Sequence, residues 1–304
     1  MTTRPPDQRI SLTVRPGHGR LPTATLAAAD GARAEVAPHG AHVVSWRPAP
    51  EPGEQEGVER LFVSQRTAWQ AGVAIRGGVP VIFPQFAETG PLPKHGFART
   101  REWQILGAHP VGGGRAQVGF RLDDSDDTRA LWPHRFSAEL TVTVGGRTLE
   151  VALAVSNPGD VPFACTAALH SYLRVGDVAT VELRGLAGVR YRDSAAGGQE
   201  RVEAEAAVTI RGEVDRIYLD APTHVEVVES GRRVLDVDAA GFPDVVVWNP
   251  GPEKGAALAD LEPGGFARML CVEAAAVGTP IVVEPGGRWL GTQTLTAVAP
   301  PPAR

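Results

Sequence analysis

Apolar side chains recur at every second position along much of this chain, and glycine and proline interrupt the runs before they grow long. Leu140, Val142 and Val144 fall on one face of an extended segment, and Leu149, Val151, Leu153 and Val155 do so again after Gly145 and Gly146. Two such runs around a glycine pair predict a β-hairpin, because glycine tolerates the positive φ of tight primed turns. Shorter runs at 9–15, 42–47, 116–122, 178–183, 223–228, 233–237, 244–248, 268–273, 280–283 and 292–298 read as further strands. With 35 glycines and 26 prolines in 304 residues, turns are plentiful and a helical bundle is excluded. The one helical pattern runs from Ser64 to Gly72, with Ser64 at its N-cap. The expectation is an all-β fold, a large sandwich of mainly antiparallel strands, with under about a fifth of the residues helical.

No linker or repeat divides the chain, so residues 9–298 are expected to form a single domain between proline-rich, disordered ends at 1–8 and 299–304. A net charge of −5 gives no basic field, which argues against nucleic acid or an anionic membrane surface as partner. The N-terminus lacks the apolar stretch of a secretory signal, and no window approaches the ~18 apolar residues of a membrane span. A cytoplasmic protein is expected. Cys165 and Cys271 each lie in an apolar run, read as small buried hydrophobes, and neither has a partner at metal-ligand spacing.

Polar residues inside apolar runs are the candidates for chemistry. Glu273 interrupts the run Met269–Ala276. It is either a desolvated carboxylate with a raised pKa, suited to a general base, or a strand residue facing solvent. His170 ends the run that begins at Ala164 and is either a hydrogen-bonded structural histidine or the acid–base partner of such a carboxylate. Arg76, Lys94, His95 and Arg99 gather positive charge among glycines and prolines, which suggests an anionic ligand against a background of solvated loop charge. Arg76-Gly77-Gly78 is not a P-loop, since no Gly-Lys-Ser/Thr follows. Asp215 can hold a sugar hydroxyl or cap a turn, and Trp248 can stack on a sugar or fill the core. Glu262 and Glu284, beside Pro-Gly turns, read as surface charge.

Taken in order, Arg76–Pro84, Lys94–Arg99, Leu169–Leu173, Asp215–Tyr218, Val247–Pro250 and Met269–Glu273 resemble the motifs of the glucose-6-phosphate 1-epimerases. These D-hexose-6-phosphate mutarotases are a branch of the aldose 1-epimerase superfamily. The resemblance runs from about residue 20 to 298 and implies a galactose-mutarotase-like β-supersandwich. It also implies an isomerase that interconverts the α and β anomers of a hexose 6-phosphate. On that resemblance His170 and Glu273 are the catalytic pair, and Asp215 and His95 contact the sugar. Arg76 and Arg99 contact the substrate including its phosphate, and Lys94 stands where relatives commonly have glutamine. Ring opening needs a proton removed from O1 and one delivered to the ring oxygen, so a base and an acid suffice, with no metal or cofactor. A monomer or weak dimer is expected. Two other readings are an epimerase of unphosphorylated aldoses and a non-catalytic phosphosugar-binding regulatory protein.

Overall fold

The structure, a computed structural model, describes residues 10–299 apart from His18 and Arg20. The expected disordered ends therefore lie outside the described residues, Ala299 excepted. About half of the chain is strand and about a tenth helix. Every pairing between strands is antiparallel, in a four-stranded, an eight-stranded and a nine-stranded sheet. The expected hairpin joins Ser137–Gly145 to Thr148–Ser156. Gly145 itself still pairs with Thr148, so the loop is Gly146 and Arg147, one residue later than the glycine pair suggests. One continuous core draws on all three sheets, including Leu26 and Val36, Leu140 and Leu153, and Leu270 and Val272. Among the described residues no helix is long and apolar enough to cross a membrane.

The eight-stranded sheet positions the functional groups. Its central strand, Met269–Val283, lies between Asp244–Asn249 on one side and Phe163–Leu169 and Tyr172–Arg174 on the other. Side chains alternate between faces. Leu270, Val272, Ala274 and Ala276 enter the main core. Met269 and Cys271 join a second apolar cluster with Phe62, Tyr172 and Leu261, while Ala275 joins a third with Ile82, Phe86, Ala168, Ile217 and Val246. Glu273 stands between Cys271 and Ala275 on that same outer face. Register places Val246 opposite Glu273, Trp248 opposite Cys271, and Asp215 of the strand Val214–Tyr218 opposite Trp248. Glu273 is thus a carboxylate set between two apolar clusters, on the face away from the main core.

Two sequence readings are corrected here. Ser64–Gly72 forms turns rather than a helix. Its cap hydroxyl is used elsewhere: Ser64 Oγ donates to Glu262 at 2.6 Å and accepts from the Arg66 amide at 3.1 Å. Glu262, read as surface charge, is buried, accepting from Ser64, from the Gln65 amide at 3.0 Å and from Arg268 at 2.6 Å. Burial opposes its ionisation, but these hydrogen bonds outweigh it and hold its pKa below the usual carboxylate value. Glu284 is exposed, as read. Both cysteines are buried and free.

Candidate active site

Backbone bonds knit the separate motifs together. The His170 amide donates to Pro80 O at 3.0 Å, Tyr172 N to Gly78 O at 2.8 Å, and Val272 N to Ser171 O at 3.1 Å. The turn at Gly77 and Gly78 exists because both have positive φ, 119° and 64°. A Cβ on Gly77 would sit 2.3 Å from Phe62 O, and one on Gly78 2.2 Å from Val43 O. Only glycine fits there, and the turn brings Arg76 beside the segment that carries His170. The loop after Phe83 is braced by Gln85, whose amide donates to Ala87 O and Leu92 O and accepts from Leu92 N. His95 and Arg99 come off the far end of this loop.

Glu273 is 1% exposed and His170 7%. His170 Nδ1 and Glu273 Oε1 lie 3.1 Å apart. The approach is off the line of a hydrogen bond, and among the described residues His170 Nδ1 and Glu273 Oε2 have no hydrogen-bond partner. Two buried titratable groups are thus left facing one another with free polar atoms. Burial raises the Glu273 pKa well above the usual value, and the Asp215 charge adds to the rise. Burial also drives His170 well below its usual value, reinforced by His95, Arg99 and Arg76. Burial therefore favours the uncharged arrangement of the pair, with the proton on Glu273.

The expected site residues converge on this pair. His95 is buried, its ring centroid 5.7 Å from that of His170, and burial with Arg99, Lys94 and Arg76 lowers its pKa to about 3. Its Nδ1 accepts from the Ala87 amide at 3.3 Å, which leaves Nε2 as the protonated ring nitrogen. Asp215 lies on the strand Val214–Tyr218, not in a turn. Burial raises its pKa, Lys254 and Lys94 pull it back, and Glu213 pushes it further. Arg76 is half-buried and anchored by Asp260 and Tyr172. The Arg99 Nη2 donates to the Lys94 carbonyl at 2.9 Å, while its buried Nε has no hydrogen-bond partner among the described residues. The Lys94 side chain is exposed at the rim. Trp248 is half-buried, edge-on to His170 at 5.9 Å and to Tyr172 at 6.0 Å.

Sequence reasoning passed over Tyr172 and Asp260. Tyr172 is two residues beyond His170, the spacing that places both on one face, so its signal was present. Asp260 is 184 residues from Arg76 and announces nothing in sequence. A separate groove of about 860 Å³, lined by Arg33, Glu59, Trp69 and Arg174 among others, lies elsewhere on the surface.

Known proteins resemble this chain in sequence and in fold. The sequence model of the aldose 1-epimerase family matches residues 22–296. A protein of Cenchrus ciliaris named "Putative glucose-6-phosphate 1-epimerase" is 34% identical over 275 residues, covering 87% of this chain and 81% of that protein. The Escherichia coli K12 protein of the same name is 38% identical over 248 residues, covering 80% and 79%. A Salmonella typhimurium crystal structure described as a "putative mutarotase (YeaD)" superposes with a TM-score of 0.85 at 31% identity, covering 95% of this chain and 94% of that one. A galactose mutarotase-like protein of Clostridium acetobutylicum shares the fold, with a TM-score of 0.72 at 14% identity, covering 97% and 100%.

Proposed function

The chain belongs to the aldose 1-epimerase family and is an epimerase, and from that premise we propose that it interconverts the anomers of a hexose 6-phosphate, with His170 and Glu273 as acid and base. The observation that carries the reading is the buried pair at 3.1 Å, with two arginines of one cationic cluster acting on it. Glu273 takes the proton from the O1 hydroxyl as the C1–O5 bond breaks, and the bond's electron pair passes to O5. His170 delivers a proton to O5, leaving the open-chain aldehyde. Rotation about C1–C2 presents the other face of the carbonyl. On closure His170 takes the O5 proton while O5 adds to C1, and Glu273 returns its proton to O1. Atoms and charge balance, and the pair ends as it began.

The substrate helps to set the protonation this sequence needs. The charges of Arg99 and Arg76 are part of what holds His170 neutral. A phosphate near two negative charges, docked on those arginines, offsets them and raises the His170 pKa. With His170 raised, the pair holds its proton on the imidazole, giving a carboxylate base and an imidazolium acid. Asp215 and the neutral His95, with Nε2–H as donor, supply hydrogen bonds to ring hydroxyls. Lys94, at the rim, adds positive charge at the phosphate end.

The test is anomer exchange followed by NMR on glucose 6-phosphate and on glucose, with and without protein. The expected result is acceleration of both, with a kcat/KM at least about ten-fold higher for the phosphorylated sugar. Equal rates would move the unphosphorylated-aldose reading ahead, and no acceleration of either would leave a sugar-phosphate binder.

A further inference from the structure

Arg76 is held from two sides. Its Nε donates to Asp260 Oδ2 at 3.1 Å, its Nη2 forms an ion pair with the same oxygen at 3.1 Å, and its Nη1 donates to the Tyr172 hydroxyl at 3.0 Å. The Tyr172 ring lies flat on the His170 imidazole, with centroids 4.7 Å apart and planes within 9°. One side chain therefore touches the cation at the phosphate end with its oxygen and the imidazole at the chemical end with its face. We propose that Tyr172 is the positioning residue that joins the two ends of the site: its hydroxyl, opposing Asp260, orients Arg76 toward the phosphate, and its ring orients His170 toward the sugar. The proposal rests on the hexose 6-phosphate reading above.

Tyr172 is placed to act as a fixed reference. It is 2% exposed and packed with Phe62, Leu261, Met269 and Cys271. Its amide donates to Gly78 O at 2.8 Å and its carbonyl accepts from Phe62 N at 2.9 Å. Burial pushes its phenol pKa up, so the hydroxyl stays neutral and able to accept from Arg76. The opposing Asp260 is equally constrained, because two residues later Glu262 ties the same turn to Ser64, Gln65 and Arg268. Between these supports the guanidinium has one orientation in place of the many a free arginine samples. Losing one support should weaken phosphate binding by roughly ten-fold, the order of an arginine's rotamer entropy. Removing Asp260 also removes a negative charge that competes with the phosphate. That carboxylate is 37% exposed and screened, and such pairs change an equilibrium by a factor of about five at most. Orientation outweighs charge.

The ring has a separate effect. Without it the ring contacts left to His170 among the described residues are edge contacts, with His95 at 5.7 Å and Trp248 at 5.9 Å, and the imidazole gains freedom to turn. Misorientation of an acid–base group acts on the chemical step, not on binding.

The experiment measures kcat and KM for anomer exchange of glucose 6-phosphate and glucose by wild type, Tyr172→Phe, Tyr172→Leu, Asp260→Ala and Asp260→Asn. Tyr172→Phe and Asp260→Ala should each raise KM for glucose 6-phosphate about ten-fold, with kcat within about two-fold. Each should shrink the preference over glucose to match. Asp260→Asn, which keeps an acceptor, should recover most of the loss. Tyr172→Leu should lower kcat about ten-fold or more on both sugars. A Tyr172→Phe enzyme with reduced kcat and unchanged KM overturns the proposal, as does an Asp260→Ala enzyme that binds the phosphorylated sugar more tightly. If Tyr172→Leu does not fold, Tyr172→Phe decides alone, since it must move KM and not kcat. A wild type without preference for the phosphorylated sugar would defeat the hexose 6-phosphate reading itself, a result visible before any variant is made.

Discussion

In the proposed mechanism Glu273 and His170 act as a unit, because one proton serves both. Glu273→Gln and His170→Asn should each slow anomer exchange at least about 100-fold, the usual worth of a general acid or base. The double variant should cost far less than the product of the singles. A folded single variant with near-normal exchange would remove that residue from the mechanism. At the other end of the sugar, Arg76→Ala and Arg99→Ala should each lower kcat/KM for glucose 6-phosphate by about ten- to a hundred-fold. That follows from charged hydrogen bonds worth roughly 1.5–3 kcal/mol. The loss on glucose should be clearly smaller; equal losses would mean that the arginines shape the pocket instead. Much of this was legible in the residues. A carboxylate inside Met269–Ala276 and a histidine ending an apolar run are departures from what packing would choose, and both proved buried. Glu262 was misread because its partners Ser64 and Gln65 lie almost two hundred positions away, and nothing local distinguishes it from exposed Glu284.

The elements that carry these residues were legible in proportion to their periodicity. The hairpin of Ser137–Gly145 and Thr148–Ser156 alternates cleanly, with one face buried, and it appears within one residue of its expected turn. The run at 178–183 holds a 3-10 turn over Val178–Thr180 before the strand begins at Val181. The strand Val214–Tyr218 is short, and its two half-buried charged residues conceal the alternation. The loop of Arg76, Gly77 and Gly78 has no periodicity and depends on backbone freedom instead. Gly77→Ala should therefore be among the costliest small substitutions in the molecule. It forces a φ of 119° on a residue with a Cβ and drives that carbon to 2.3 Å from the Phe62 carbonyl. A loss of about 2–4 kcal/mol is expected from strain and displaced backbone, read as a lower urea midpoint with unchanged slope. Unchanged stability would show that the turn relaxes, and the requirement for glycine would fall. Because Arg76 adjoins the turn, the folded fraction should also lose part of its preference for the phosphorylated sugar.

At the scale of the whole molecule, the architecture was the most legible feature, since antiparallel pairing throughout follows from period-two alternation punctuated by turns. What the sequence could not display is that several titratable groups are held out of water, and this shapes stability against pH. His42 is fully buried and lowered to about 3, chiefly by burial, although its ring contact with Gly77 O at 2.7 Å works the other way. His95 is likewise lowered to about 3. In the unfolded chain both would titrate near 6.5. A folded pKa below the unfolded one means that the unfolded state binds more protons between those values, so stability is lost as pH falls from about 6.5 toward 3. His170 and Glu273 do not add to this over the upper part of the window. Folded, the pair holds one proton; unfolded, between the ordinary carboxylate and imidazole values, it also holds one, on the histidine. The net difference is thus about two protons, from His42 and His95, or about 3 kcal/mol lost per pH unit once pH is well below 6.5. Below about 4.5 the carboxylate of Glu262, whose folded pKa is lowered, adds in the same direction. Urea unfolding measured from pH 8.5 to 4.5 should show a maximum near pH 7: above it the folded pair keeps a proton that the unfolded chain has lost, so stability declines as pH rises, and beneath it the fall toward acid steepens. His42 contributes to that slope and lies behind the glycine turn rather than in the acid–base pair, so His42→Gln should remove about one proton from the pH dependence whatever it does to stability at pH 7.5. A slope unchanged in His42→Gln, or a wild type equally stable at pH 7 and pH 5, would show that these histidines are hydrated enough to charge inside the fold.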